Sequence, residues 1–194
     1  TMPSRIKGAT LINTIVTVRE LTGPVVFQAL IEGCPAETKQ ILTRTLMAVE
    51  WIPVDTWSPF LTAILERLAK RNEDQYRRII RAVCKRDFST VYRALIQGAT
   101  PSTVLGKMQN IWHAYFDNGT LAVKPGQTLG QTQRTEFQLR DLETTSNIYS
   151  ITVQAYLEQV LTMAGAHSVS VHRQKELLKD GRLSCDYQAS FAIN

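Results

Sequence analysis

The positions of apolar residues divide the chain into a helical part and a part with strands. From Thr10 to about Gly119, apolar residues recur at intervals of three and four, and Gly and Pro interrupt the pattern at short distances. From Gly119 onward, Gly, Thr and Gln become frequent and two-residue alternation appears. We therefore expect residues 1–118 to be mainly helical and residues 119–194 to form a hairpin, a helix and a second hairpin.

Glycines, prolines and capping residues set the bounds of the expected helices. Gly23 and Pro24 separate the first two helices, Pro35 opens the third, and Thr100 caps the last helix of this part, with Pro101 in its first turn. The third ends at a proline, in Trp51–Pro53, and Pro59 is expected at the first position of the fourth. The expected helices cover residues 9–21, 24–31, 35–51, 58–68, 73–86, 88–96 and 100–118.

The C-terminal part predicts two hairpins around one helix. The first hairpin is expected from strands over 120–124 and 130–142, joined at Pro125–Gly126, and the helix runs from Tyr149 to Ala164. The second hairpin turns at Asp180–Gly181. The residues that alternate without interruption in its last strand are Leu183, Cys185, Tyr187, Ala189, Phe191 and Ile193.

This order of elements is typical of an α+β fold. We expect an antiparallel sheet of four to five strands, formed by the two C-terminal hairpins, on which the N-terminal helices and a long helix pack from one side. The chain has 194 residues, a length that fits one domain over residues 1–194.

Composition excludes several classes of protein. Hydrophobic residues make up 44% and charged residues 20%, which excludes disordered and fibrous chains. No apolar stretch is long enough to predict a membrane span, and the start has no small-residue cleavage site, so we expect a cytoplasmic protein. Three widely spaced cysteines predict reduced, mostly buried thiols.

Positive charge is concentrated in one region. Nine Lys and Arg stand against three acidic residues between positions 67 and 93, a local charge of +6 in a chain of net charge +5. This pattern is open to two interpretations, a solvated helix face or a docking face for an acidic protein or an anionic ligand. Sequence-specific nucleic-acid binding is not expected, because no matching motif accompanies the charges. The candidates for the docking face are Arg71, Arg77, Arg78, Arg81 and Lys85.

Aromatic residues gather near two predicted helix ends. They either pack a core or line an apolar pocket for a lipid-like or aromatic ligand. The pocket candidates are Trp51, Trp57, Phe60, Trp112, Tyr115 and Phe116.

Catalytic motifs are not apparent in the sequence. The three histidines, His113, His167 and His172, lie in no nucleophile motif, and there is no Gly-x-Ser-x-Gly turn and no glycine-rich phosphate loop. We expect a protein that is not an enzyme.

Several short segments carry a resemblance to a known family. The terminal run from Leu177 to Cys185 resembles the closing signature of 4-vinyl reductase-type domains, which end in a Cys, a glycine turn and a second Cys. Ile6–Ala9, Cys34–Pro35, Trp51–Val54 and Ala99–Pro101, with residues 111–119, together resemble the myxobacterial-type paralogous family of unknown function. The resemblance implies a fold shared with haem nitric-oxide sensor domains, aromatic-sensing domains and the TRAPP subunits of Golgi transport.

Departures from these relatives argue against a cofactor. The paired cysteines hold a structural zinc in the aromatic-sensing relatives, but here Leu177 replaces the first cysteine and leaves Cys185 alone. A haem would depend on His113, and the Tyr-x-Ser-x-Arg signature of the nitric-oxide sensors is missing. We expect neither zinc nor haem.

These observations predict a non-enzymatic cytoplasmic sensor or adaptor. It would bind a small apolar ligand or a protein partner, and the resemblance implies that it acts as a homodimer. The alternative is a TRAPP-like interaction module, in which side chains fill the interior and the basic face docks an acidic partner such as a small GTPase.

Overall fold

The structure is a computed structural model that describes residues 3–193. Eight α-helices, one short π-helix (Ile64–Leu68) and six strands are found in these residues. The helices are α1 (Gly8–Glu32), α2 (Ala36–Thr43), α3 (Val54–Ala63), α4 (Glu73–Ser89), α5 (Arg93–Ile96), α6 (Pro101–Gly106), α7 (Met108–Tyr115) and α8 (Ile148–Met163). The strands are β1 (Arg5–Lys7), β2 (Trp51–Pro53), β3 (Thr120–Leu129), β4 (Thr132–Glu143), β5 (His167–Lys179) and β6 (Arg182–Ala192).

A four-stranded antiparallel sheet forms the C-terminal part, in the order β3-β4-β6-β5. Its two hairpins and the long helix α8 between them confirm the predicted α+β fold. The alternating residues of β6 are buried from Leu183 to Phe191, as their spacing predicts.

The turns of the two hairpins differ in how well the sequence predicts them. Asp180 and Gly181 both have positive φ, 52° and 71°, which is the backbone of a type I′ turn, and they join β5 to β6 as predicted. The predicted turn at Pro125–Gly126 is wrong, because the chain turns at Gly130, where φ is 62°. Pro125 lies instead at a bulge in the edge strand β3, a position that needs no backbone donor.

The helices also depart from prediction at identifiable residues. Helix α1 bends at Gly23, whose φ of 77° is not helical, so the predicted break is present inside a continuous element. The predicted helix over 35–51 stops at Thr43, and Trp51–Pro53 forms β2, which pairs with β1. Helix α3 begins at Val54, four residues before the expected start, and includes Pro59.

Glutamine side chains from helices satisfy backbone groups on both edge strands of the sheet. Gln109 on α7 accepts a hydrogen bond from the N–H of Leu121 in β3, at 3.0 Å. Gln154 on α8 donates to the carbonyl of Val171 in β5, at 2.6 Å. These contacts cover two otherwise free backbone groups and tie α7 and α8 to the sheet.

Helix α1 is the one helix among residues 3–193 whose length and composition would allow it to cross a membrane. In this fold a third of its apolar window is buried, and Thr10 and Asn13 on its inner side bond to a carboxylate on α4. The cysteines Cys34, Cys84 and Cys185 are free thiols and all buried, as predicted.

Candidate functional site

A partly enclosed cavity lies among the helices, next to the edge of the sheet. Its volume is about 60 Å³, and its wall is formed by residues of α1, α3, α4, α7 and α8, with Ile6 of β1 and Leu121 of β3 at its margin. The wall is almost entirely apolar, and no charged side chain contributes to it within residues 3–193. A cavity with so little polar surface is suited to an apolar occupant, since water requires several polar partners.

Four of the six predicted pocket residues line this cavity: Trp57, Trp112, Tyr115 and Phe116. The rings of Trp112 and Phe116 stack with centroids 4.3 Å apart, and the indole N–H of Trp112 donates to the carbonyl of Asn118. Both contacts fix the orientation of this part of the wall.

Trp51 and Phe60 do not line the cavity, and their assignment to the pocket is wrong. Trp51 lies half-exposed in β2, with the ammonium of Lys7 at 4.0 Å from its ring centroid. Phe60 is fully buried and packs on the far side of Trp57, at 5.1 Å between centroids.

Sequence reasoning missed the hydroxyl groups of the wall. Thr10 and Thr14 lie one turn apart on the inner side of α1, and Thr152 and Tyr156 lie one turn apart on α8. The signal that could have found Thr10 and Thr14 is their i, i+4 spacing on the side of an apolar helix that faces the core.

A buried carboxylate lies directly behind this part of the wall. The side chain of Asp87 on α4 is fully buried and accepts four hydrogen bonds from neutral side chains. Oδ2 accepts from the hydroxyls of Thr10, Tyr156 and Tyr115, at 2.7, 2.7 and 3.1 Å, and Oδ1 accepts from the amide of Asn13 at 2.6 Å. Residues of α1, α4, α7 and α8 therefore meet at one carboxyl group.

Burial controls the ionisation of this group. Loss of solvation raises the pKa of Asp87 from 3.8 to about 6, although the hydrogen bonds from Thr10, Asn13, Tyr156 and Tyr115 act in the opposite direction. No basic side chain bonds to Asp87 in the part of the chain that the structure describes. The carboxyl group therefore changes its charge close to neutral pH.

The raised pKa of Asp87 predicts a specific dependence of stability on pH. The folded protein binds this proton more tightly than the unfolded chain, so the contribution is fully present below pH 4 and is lost as pH rises to 6. We expect Asp87 alone to contribute a total loss of about 3 kcal/mol from acid to neutral pH, of which about 2 kcal/mol falls between pH 4 and pH 6. Urea denaturation of the wild type and of Asp87→Asn at pH 4, 5, 6 and 7 measures it as the difference between the two curves. If the free energy of unfolding changed with pH in the same way in both proteins, the raised pKa could not belong to Asp87.

The predicted basic residues do not form one free face. Arg77 and Arg81 both point to Glu158 on α8, a carboxylate that is 4% exposed, and Arg81 Nη1 lies 3.4 Å from it. Burial raises the pKa of Glu158, while the two guanidinium groups act to lower it. Arg71 lies 3.9 Å from Glu66 on the surface, whereas Arg78 and Lys85 are exposed on the outer side of α4. Arg77 and Arg81 therefore join α4 to α8.

The fold defined by these elements is that of the H-NOX domains, whose name stands for haem nitric oxide/oxygen binding. A variant of Tt H-NOX has a TM-score of 0.68 and 16% identity, with 97% of each chain covered. An oxygen-binding H-NOX domain related to soluble guanylate cyclases, in its oxygen complex, has a TM-score of 0.63 and 17% identity over 95% of this chain and 94% of that one. No family model and no curated protein matches the sequence.

The described residues around the cavity do not fit a haem group. No histidine or cysteine lines the wall between residues 3 and 193, and His113, His167 and His172 are all exposed. The hydroxyls of Tyr115 and Tyr156 both donate to the buried carboxylate of Asp87. A volume of about 60 Å³ is also far below the roughly 300 Å³ at which cofactor pockets begin.

Proposed function

We propose that this domain is a haem-free sensor of a small apolar ligand, which binds in the cavity between α1, α4, α7 and α8. The observation that carries the proposal is the partly enclosed apolar cavity, because well-packed interiors leave few voids larger than a water molecule. The H-NOX fold supports a sensor role by analogy of architecture alone. The proposal includes no catalytic step.

The size of the cavity defines the ligand. About 60 Å³ is less than half of a cavity that holds benzene, about 150 Å³, so the interior accepts a molecule of two or three heavy atoms as it stands. A larger ligand would have to move helices apart. A charged ligand is disfavoured because no charge on the described wall would compensate its loss of solvation.

Xenon is a suitable probe for this site. We expect xenon to shift the methyl resonances of Leu61, Val83 and Val153, which line the cavity, in an NMR titration of the methyl-labelled protein. Haemin added in parallel is expected to give no haem-protein absorption band. Xenon shifts confined to surface methyls, or a stoichiometric haem complex, would overturn the proposal.

Filling the cavity should stabilise the fold and remove the site. Val83→Ile adds one methylene to a wall residue that is 1% exposed, and we expect a gain of about 0.8 kcal/mol in the free energy of unfolding. Xenon affinity should fall about tenfold or more, because the added group occupies much of the cavity. Urea denaturation and the NMR titration measure the two effects.

Val104→Ile is the matched control for this substitution. Val104 on α6 is fully buried but does not line the cavity, so the same methylene overpacks the core and costs about 1 kcal/mol or more. Equal losses of stability in both variants would mean that no usable space exists beside Val83.

A second function is favoured by one observation, the exposed cations of α4. Arg78 and Lys85 lie seven residues apart on the outer side of this helix, which suits an acidic protein partner. We expect Arg78→Glu with Lys85→Glu to abolish capture of such a partner in a pull-down and to leave xenon binding unchanged. Arg93→Glu, an exposed cation on α5, is the matched control.

The proposal also covers the oligomeric state of the domain, its family and its location in the cell. We propose that the domain acts as a homodimer in the cytoplasm and belongs to the myxobacterial-type paralogous family that its short motifs resemble. Sedimentation analysis of the purified chain tests the dimer, since a monomer at all concentrations would contradict it.

A further inference from the structure

The cavity and the carboxylate of Asp87 share three side chains. Thr10, Tyr115 and Tyr156 each line the cavity, and the hydroxyl of each donates to Oδ2 of Asp87. The three donors belong to α1, α7 and α8, whereas the acceptor belongs to α4. A ligand that presses on these walls therefore changes the hydrogen bonds that hold the carboxylate.

The hydroxyl protons of this wall are all in use. Thr14 donates to the carbonyl of Thr10 at 2.7 Å, and Thr152 donates to the carbonyl of Ile148 at 2.9 Å. Each hydroxyl has a single proton. None of these side chains can therefore move with a bound ligand without breaking its present hydrogen bond. For Thr10, Tyr115 and Tyr156 that acceptor is Asp87.

We infer that binding of an apolar ligand in the cavity is linked to uptake of a proton by Asp87. This inference rests on the proposed function of the cavity. An ionised carboxylate depends more on its donors than the neutral acid does, so a ligand that lengthens these hydrogen bonds favours the neutral acid. Because linkage is reciprocal, the protonated form binds the ligand more tightly.

Asp87 is the group in this cluster whose charge changes near neutral pH, because the titratable groups that face it stay neutral there. Burial raises the pKa of Cys84, Tyr92, Tyr115 and Tyr156, which keeps all four neutral near pH 7. Arg86, the preceding residue, forms an ion pair with Glu20 at the surface. The groups that face Asp87 within residues 3–193 are Thr10 and Asn13 of α1, Cys84 of α4, Thr90 and Tyr92 before α5, Tyr115 of α7 and Tyr156 of α8.

The test is a titration of the Asp87 carboxyl carbon by ¹³C NMR, with and without xenon. We expect xenon to raise the midpoint by about half a pH unit, and the affinity for xenon to be about threefold higher at pH 5 than at pH 8. Asp87→Asn should bind xenon with the same affinity at both pH values. His113→Gln and His172→Gln, which change exposed side chains that do not line the cavity, should keep the wild-type dependence.

The outcomes separate this inference from the proposed function. Xenon binding with an unchanged Asp87 midpoint overturns the linkage and leaves the cavity site intact, whereas absence of xenon binding overturns both. Val83→Ile gives an independent measurement if Asp87→Asn does not fold, because the added methylene acts as a permanent occupant. It should raise the Asp87 midpoint, while Val104→Ile should not, and equal midpoints in the two variants contradict the linkage.

Discussion

Replacing Asp87 with alanine is expected to lower the free energy of unfolding by about 4 kcal/mol at pH 5. The substitution leaves the donors of Thr10, Asn13, Tyr115 and Tyr156 without their acceptor in a buried place. Each unsatisfied buried donor costs about 1–3 kcal/mol, and partial rearrangement recovers some of the sum. Urea denaturation followed by circular dichroism measures the change.

The same substitution should have a smaller effect at higher pH. The ionised carboxylate itself costs stability at pH 7.5, because burial raises the pKa of Asp87 to about 6. We therefore expect the loss in Asp87→Ala to fall to about 2.5 kcal/mol at that pH. Asp74→Ala, a side chain that is 73% exposed on the same helix, is the control and should leave stability almost unchanged at either pH. An effect of Asp87→Ala that does not vary with pH would contradict the account of this group.

Arg77→Glu is the second substitution with a large expected effect. It removes the guanidinium that pairs with the buried Glu158 and places a second carboxylate beside it. Breaking a buried ion pair from one side costs about 3–5 kcal/mol, so we expect the variant to lose about 4 kcal/mol of stability. Thermal and urea denaturation both report this loss.

Arg78→Glu separates the two interpretations of the basic helix. Arg78 is the next residue along α4, carries the same charge and is exposed, so its reversal should change stability by about 0.5 kcal/mol or less. Similar small effects at Arg77 and Arg78 would mean that both belong to a solvated face. A large difference between them assigns Arg77 to the interior contact between α4 and α8.

Elements that are determined by neighbouring residues could be predicted from the sequence, whereas elements that depend on distant residues could not. The Asp180–Gly181 turn and the buried positions of β6 follow from neighbouring residues, and the sequence predicts both correctly. Strand β2 forms because residues 51–53 find a partner in β1, some 45 residues earlier in the chain, and no local pattern announces such a pairing. The turn at Gly130 was missed because Pro125–Gly126 is an equally strong local turn signal.

The same limit applies to the site. Aromatic residues near helix ends pointed to Trp57, Trp112, Tyr115 and Phe116, because large rings at inward positions are visible in a helical pattern. Asp87 gave no such signal. It follows a run of basic residues, and the sequence alone suggests a surface carboxylate that balances their charge. Its role arises from donors on three other helices, and only their packing brings these groups together.

A crystal structure of the protein under xenon pressure tests the central claim most directly. We expect one xenon atom between Trp57, Val83 and Tyr156, in contact with apolar side chains. An interior without xenon, closed by side chains around that position, would contradict the claim that this domain holds a small apolar ligand.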